Sequence, residues 1–86
     1  MYYTIMVVTP TNKRAYVAHI IFGRDVRSFK PHIVYTLDRR DILRISYKSL
    51  ADELAFCVKR ANPSSKTYVI LNDPEVSQFE EDSYEV

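Results

Sequence analysis

Segments rich in β-branched and aromatic residues, each bounded by polar or turn-forming residues, recur through the first half of the chain and predict β-strands. The first covers residues 2–9 and the second residues 15–23, and residues 9–14 between them have the length of a hairpin loop. A third such segment, residues 32–38, follows a charged stretch. The pattern therefore predicts three strands, the first two joined as a β-hairpin.

Residues 42–48 alternate between apolar and polar positions with the period of a half-buried strand. Leu43, Ile45 and Tyr47 share one face of such a strand and are expected to point inward. Farther along, residues 67–72 are apolar on both faces, which is typical of an interior strand. These two segments raise the predicted number of strands to five.

Residues 50–61 show the clearest helical pattern in the chain. Ser49 is placed to be the N-cap, and Asp52 and Glu53 fall near the positive end of the helix dipole. The pair Asn62-Pro63 ends the helix. The apolar positions recur at helical spacing and form one stripe, made of Leu50, Leu54, Cys57, Val58 and Ala61.

Residues 73–79 open with the Asp-Pro-Glu order of a helix start and predict a short helical turn. Residues 80–86 carry too little apolar surface to order themselves, so we expect a flexible acidic tail after a single domain of residues 1–79. The element order is then β-β-β-β-α-β. It favours a two-layer α+β fold, in which one main helix covers one face of a mostly antiparallel sheet of about five strands, with a short C-terminal helical turn.

The chain has 86 residues, enough for one domain with a small hydrophobic core. A core of this size gives limited stability by itself, so we expect a homodimer. The single cysteine, Cys57, excludes an intramolecular disulfide. No apolar run is long enough to span a bilayer and the start lacks the features of a secretory signal, so we expect a soluble, cytoplasmic protein without a membrane partner.

Charge is distributed unevenly along the chain. Residues 1–66 contain all twelve lysines and arginines and five acidic residues, a net charge of +7, whereas residues 67–86 contain six acidic residues and no lysine or arginine. We expect these two charges to occupy opposite ends of the folded molecule. A contact with a charged partner is the kind of function that this separation favours.

Groups that commonly carry catalysis are few and scattered. His19 and His32, the two histidines, fall on separate predicted strands without metal-ligand spacing. Cys57 lies on the helix stripe, where a thiol packs as a small apolar group. We therefore expect no catalytic residue, no metal and no cofactor, and a protein that is not an enzyme.

One segment resembles part of a known enzyme family. The stretch SYKSLADELAFCVKRANPSSKTYVILNDPEVSQF, residues 46–79, is similar to the helix–strand segment of ribonuclease H-like domains. The resemblance implies metal-binding roles for Glu53 and Asp73, which match the family's helical glutamate and the aspartate after the next strand. The family's first strand ends in an aspartate, whereas this chain has Thr9 and Pro10 there. Since two metal ions need that carboxylate, the resemblance implies a catalytically inactive relative.

Basic residues are concentrated in two predicted loops and the strand after them. The first group surrounds Phe29 and consists of Arg24, Arg27 and Lys30. The second group follows the third strand and is expected to project from one edge; it consists of Arg39, Arg40, Arg44 and Lys48. Interleaved with Phe29 and Tyr35, these cations suit phosphate contact with base stacking. Alternatively, they only keep the edges of the sheet soluble.

The acidic end supplies a second candidate contact. Phe79 and Tyr84 lie there among the carboxylates of Glu80, Glu81 and Asp82. This segment either contacts a basic partner, folds back over the basic edge of the domain, or only increases solubility.

The leading hypothesis is a small binding protein, of inhibitor or adaptor type, that occludes or bridges a macromolecular partner, which we expect to be a protein. The basic loop and edge, the acidic tail, or both would make the contact. Small compact domains of this kind include viral accessory proteins, an analogy of size alone. The alternative is a nucleic-acid-binding protein that uses the same basic edge, and an inactive ribonuclease H-like domain is a more distant one.

Overall fold

The computed structural model describes residues 1–22, 31–72 and 82–86. Within them the chain forms an α+β fold, a five-stranded antiparallel sheet with a single α-helix on one face, as expected. In the sheet the strands lie in the order β3-β2-β1-β4-β5. Their bounds are β1 Tyr2–Val8, β2 Arg14–Ile21, β3 His32–Thr36, β4 Lys66–Asn72 and β5 Asp82–Glu85, and the helix α1 covers Lys48–Ala61.

The first two strands form the predicted hairpin. β1 and β2 are antiparallel, with Val8 opposite Arg14. Thr9 closes the loop twice, because its N–H donates to the Lys13 carbonyl oxygen (2.8 Å) and its Oγ1 accepts from the Lys13 N–H (3.0 Å). Asn12 has a φ of 64°, a left-handed conformation that asparagine tolerates better than most residues.

The core lies between the sheet and α1. The buried side chains of the sheet on this side include Ile5, Val7, Val17 and Val69. Burying each such Val or Ile side chain stabilises the fold by about 1.5–3 kcal/mol. The helix meets them with small buried residues, which allow a close approach of the backbone to the sheet, namely Ala51, Ala55 and Val58.

Two predictions about α1 are wrong. The helix begins at Lys48, with Tyr47 rather than Ser49 as the N-cap, and no side chain caps it. Asp52 therefore falls beyond the first turn, where the helix dipole has little effect. The buried stripe is also rotated from the predicted one, since Leu50 is 44% exposed while Ala51 is fully buried. The predicted stripe was built from the large apolar residues. The close packing of the helix against the sheet instead buries the small alanines.

Residues 42–48 do not form the predicted fourth strand. A 3₁₀ turn, Arg39–Asp41, precedes an extended segment that is hydrogen-bonded to β1 and β2 but is not a strand of the sheet. The Leu43 N–H donates to the Val17 carbonyl oxygen (3.0 Å), and Tyr3 and Ile45 exchange two backbone hydrogen bonds (2.7 and 2.9 Å). The alternation was correct for Ile45, which is buried, and wrong for Tyr47, which is 71% exposed.

The fifth strand is instead β5, within the segment expected to be a flexible tail. β5 pairs with β4, and β4 is an interior strand, as predicted. The Val86 N–H continues the ladder by donating to the Thr67 carbonyl oxygen (2.8 Å), and the Val86 side chain packs against the core. These tertiary contacts supply the order that the local sequence lacks. The predicted helical turn of residues 73–79 lies outside the described residues.

No helix in the described part of the chain is both long enough and apolar enough to cross a membrane.

Candidate functional site

Within residues 1–22, 31–72 and 82–86, the helix covers one face of the sheet and no second helix covers the other face. Because side chains alternate between the two faces of a strand, the neighbours of the core residues Ile5 and Val69 point away from α1. The register places Met6 opposite Tyr16 on one side and opposite Tyr68 on the other. We call this surface the open face; it includes Tyr2, Thr4, Met6, Arg14, Tyr16, Lys66, Tyr68, Ile70 and Asn72.

A concavity with a volume of about 230 Å³ lies at one end of the open face. Arg39, from the 3₁₀ turn, and Arg44, from the extended segment, both line it. Its other lining residues come from three strands and from the extended segment, and are Tyr2, Thr4, Tyr16, Ile42, Ile70 and Asn72. The first residues of β1 thus lie beside two arginines that are distant from them in sequence.

A second concavity, of about 400 Å³, lies beside the first. Arg14 and Lys66 supply its basic groups, and Tyr68 contributes an aromatic ring. Tyr16 and Ile70 line both concavities, so the two are joined into one surface. This surface crosses β2, β1 and β4.

The joined surface is positively charged. Arg39 and Arg44 lie at one end and Arg14 and Lys66 at the other, and all four side chains are exposed. Within the described residues, no carboxylate lines either concavity. Glu85 shares this face at the margin of the sheet, where the register sets it opposite Tyr68.

Contacts within the first concavity orient its side chains. The Arg44 guanidinium lies over the Tyr2 ring, 5.1 Å from its centroid. A cation over an aromatic ring at this distance is stabilised by about 0.5–1 kcal/mol at an exposed site. Next to them, Asn72 Nδ2 donates to Thr4 Oγ1 (3.2 Å). Arg44 is held near the surface without a carboxylate partner among the described residues, so its charge is available to an anion.

Of the four cations expected at one edge, Arg39 and Arg44 are brought together and the other two are not. Arg40 forms an ion pair with Asp38 (3.1 Å). Hydrogen bonds from the Arg40 side chain and backbone lower the pKa of Asp38. Lys48 lies on the helix side, its Nζ 5.6 Å from the centroid of the Tyr84 ring.

Several predicted contact residues lie elsewhere or are not described. Tyr35, expected to stack beside the arginines, is on the helix side, where its hydroxyl accepts a hydrogen bond from Asn62. Burial raises the pKa of Tyr35, although the bond from Asn62 opposes the shift. The remaining predicted contacts outside the described residues are Arg24, Arg27, Phe29, Lys30, Phe79, Glu80 and Glu81.

The acidic end of the chain is docked on the helix side. The Tyr84 hydroxyl donates to Asp52 on α1, and partial burial together with this carboxylate raises the pKa of Tyr84 to about 12. Lys59 donates to the backbone oxygen of Val86. Asp82 begins β5. Within residues 82–86, the contacts to lysines of α1 are thus made by the Tyr84 ring and the Val86 backbone. The predicted separation of the two charges depends largely on residues outside the described ones and stays a prediction.

Sequence reasoning missed the tyrosines of the open face. The sequence pattern places Tyr2, Tyr16 and Tyr68 on strands, but it separates the two faces only for residues 42–48 and 67–72. The same period-2 pattern in β1 and β2, anchored on the buried Ile5 and Val17, would have placed all three tyrosines on one side.

Residues with metal-binding or nucleophilic chemistry are dispersed. His19 and His32 are both exposed, and Cys57 is half-buried on α1. In residues 1–22, 31–72 and 82–86 no three His, Cys, Asp or Glu side chains come close enough to hold a metal ion. Glu53 is exposed on α1, and Asp73 lies outside the described residues.

No protein-family model, no curated protein and no solved structure matches this chain.

Proposed function

We propose that this chain is a non-enzymatic binding protein that holds a single-stranded nucleic acid on its open face. The observation that carries the proposal is the combination of three tyrosines and four cations on one surface. Tyr2, Tyr16 and Tyr68 share the open face with the exposed cations Arg14, Arg39, Arg44 and Lys66. Aromatic platforms in a positively charged groove are typical of proteins that bind single strands.

The cations are suited to contact phosphates. They lie at both ends of the joined surface, so a strand that crosses it meets positive charge on entry and on exit. Each neutralised phosphate releases a condensed counterion, and four contacts give a slope of about −3 in a plot of log affinity against log salt for a single strand. Among the described residues none of these four cations forms an ion pair, so each can contact a phosphate without first losing a carboxylate of that part of the chain.

The tyrosines are suited to stack on bases. Met6 separates Tyr16 and Tyr68 in one row across the sheet, and two inter-strand spacings place their Cα atoms roughly 10 Å apart. An extended nucleic-acid strand that lies across β2, β1 and β4 can therefore set separate bases on the two rings. Each base stacked on an aromatic ring contributes about 1–3 kcal/mol.

An acidic segment of a protein partner, held as by an inhibitor or adaptor, is the second candidate. The observation that favours it is the apolar lining beside Arg39 and Arg44, where Ile42 and Ile70 contribute to the same concavity. An acidic amphipathic peptide would use both kinds of group. It would need the cations but not the aromatic rings, so variants that keep apolar bulk, such as Tyr16→Leu and Tyr68→Leu, separate the two candidates.

The test is fluorescence anisotropy with labelled DNA and RNA single strands, about ten nucleotides long to match typical site sizes. The double variant Arg39→Gln/Arg44→Gln should weaken binding and flatten the salt slope by about 1–2. Arg60→Gln is the matched control, because Arg60 lies over Phe56 on α1, away from the open face. If the wild-type protein fails to bind either single strand at low salt, the proposal is wrong.

A further inference from the structure

We propose that β3 is an interface for a second copy of this chain, formed by antiparallel pairing of the two β3 strands. Among the strands of the described residues, β3 lies at an edge of the sheet, with β2 as its neighbour on the inner side. An edge strand presents unpaired backbone N–H and C=O groups to any strand that can dock there. No residue of β3 lines either concavity of the open face, so pairing along this edge does not depend on nucleic-acid binding.

The two edges of the sheet are protected very differently. β5, the other edge, has the sequence DSYE and carries two carboxylates. β3 has the sequence HIVYT and carries no formal charge with histidine neutral. Charged side chains are a common device against pairing of edges, and β3 lacks it. Two copies of β3 also meet without like-charge repulsion, whereas two copies of β5 would not.

Exposed apolar residues are gathered around β3. Ile21, the last residue of β2, lies opposite His32 of β3 and is 53% exposed, and the neighbouring Phe22 is 60% exposed. Leu37, directly after β3, is 77% exposed. Exposed apolar side chains thus lie at both ends of β3, which favours a partner along this edge.

The sequence of β3 is self-complementary in an antiparallel pairing centred on Val34. Ile33 then lies opposite Tyr35 of the second copy, and the reverse pair forms by symmetry. Both residues point to the helix side, because the register pairs Tyr35 with the buried Val17 and Ile33 with Ile20. Pairs of aromatic and β-branched residues across strands stabilise a ladder by about 0.2–1 kcal/mol each.

This pairing determines how the two copies face. Residues directly opposite in an antiparallel pair point to the same side of the sheet, so the two-fold axis runs perpendicular to it. Both open faces would then lie on one side of a continuous ten-stranded sheet, with both helices on the other side. The dimer would present two copies of the basic, tyrosine-lined surface to the same partner.

The first test is sedimentation velocity over a series from nanomolar to high micromolar protein. The wild type should form a dimer. Val34→Lys should raise the dissociation constant of the dimer roughly tenfold or more, because the lysines of the two copies would lie directly opposite each other. Ser83→Lys is the matched control: Ser83 also lies on an edge strand, at the opposite margin of the open face, and should leave the dimer unchanged. Circular dichroism melting confirms that both variants fold.

The second test is cross-linking. In a Cys57→Ala background, Val34→Cys should give a disulfide-linked dimer under mild oxidation, whereas Ser83→Cys should not. A wild type that sediments as a monomer at every concentration would overturn the proposal. So would a dimer that Ser83→Lys disrupts and Val34→Lys does not, or one in which the Val34→Cys variant fails to cross-link.

Discussion

The guanidinium of Arg44 lies over the ring of Tyr2, 5.1 Å from its centroid, although the two residues are far apart in sequence. The backbone explains the contact. Tyr3 and Ile45 exchange two hydrogen bonds, and the side chains of both pack on the helix side. Since neighbouring residues in extended segments point to opposite faces, the bridge turns Tyr2 and Arg44 together toward the open face. Tyr2 and Arg44 therefore act as one unit at the mouth of the first concavity.

This unit leads to a prediction at Tyr2. Tyr2→Ala should weaken single-strand binding about fivefold to tenfold, because it removes an aromatic surface and the ring that orients Arg44. Tyr2→Phe keeps the ring and should stay within about twofold of the wild type, on the same reasoning. Anisotropy titrations of both variants check this. Equal losses in the two variants would show that the hydroxyl, rather than the ring, makes the contact.

Tyr16 and Tyr68 give a prediction that separates stacking from charge. Alanine at either position should cost about 1–3 kcal/mol of binding free energy while leaving the slope of the salt dependence unchanged, because no phosphate contact is lost. Tyr47→Ala serves as the control, since Tyr47 is largely exposed before α1 and lies outside both concavities. A flattened slope in the Tyr68 variant would contradict the assignment of this ring to a base.

Much of the fold could be predicted from local pattern. Alternation and β-propensity were sufficient for β1 to β4, and helical periodicity for α1. The failures have a common cause in non-local contacts. The alternation of residues 42–48 would be the same in a strand with a full ladder as in a segment with a single bridge. Among the described residues the segment makes one bridge, between Tyr3 and Ile45, which the local sequence does not reveal. β5 is ordered by Tyr84 and Val86 against α1 and β4, partners that the local sequence does not reveal.

The sequence could predict only part of the candidate site, because local pattern again brings together only residues that are close along the chain. Arg39 and Arg44 are close in sequence, so their joint placement followed from a short connection. Arg14 and Lys66 reach the open face from opposite ends of the chain, and β1 with its two partner strands must be placed before they meet. Grouping the site by position along the chain therefore found only half of its cations.

Thr67 provides a prediction about stability. Its side chain is fully buried and its Oγ1 has no hydrogen-bond partner among the described residues. A buried, unpaired hydroxyl costs about 1–3 kcal/mol, and valine has nearly the same shape. Thr67→Val should therefore increase the free energy of unfolding by about 1 kcal/mol and raise Tm by about 4–8 °C, measured by thermal denaturation.

Thr4 is the matched control for Thr67. It is also buried on an interior strand, but its Oγ1 accepts a hydrogen bond from Asn72 (3.2 Å). Thr4→Val removes that partner, so it should lower stability by about 1 kcal/mol. A Thr67→Val variant that melts below the wild type would show that the hydroxyl is hydrogen-bonded in solution.

Tyr84 gives a prediction about pH, through its contact with Asp52 at the junction of β5 and α1. Partial burial and the carboxylate raise the pKa of Tyr84 to about 12, whereas a tyrosine in an unfolded chain titrates near 10. A group whose pKa is raised by folding stabilises the native state below its unfolded pKa and loses that contribution as pH rises through the folded value. The contact between β5 and α1 should therefore hold at pH 10 and weaken as the pH approaches 12.

The ionisation itself can be followed by NMR of ring-labelled tyrosine, with Tyr84→Phe used to assign the signal. Asp52→Asn should lower the pKa of Tyr84, because the amide still accepts a hydrogen bond but carries no negative charge. Glu53→Gln removes a neighbouring exposed carboxylate that does not contact Tyr84 and should leave this pKa unchanged. If Tyr84 ionises with the unfolded-chain value in the wild type, β5 does not dock on α1 through this hydroxyl, and the order of the acidic segment must come from its ladder with β4 alone.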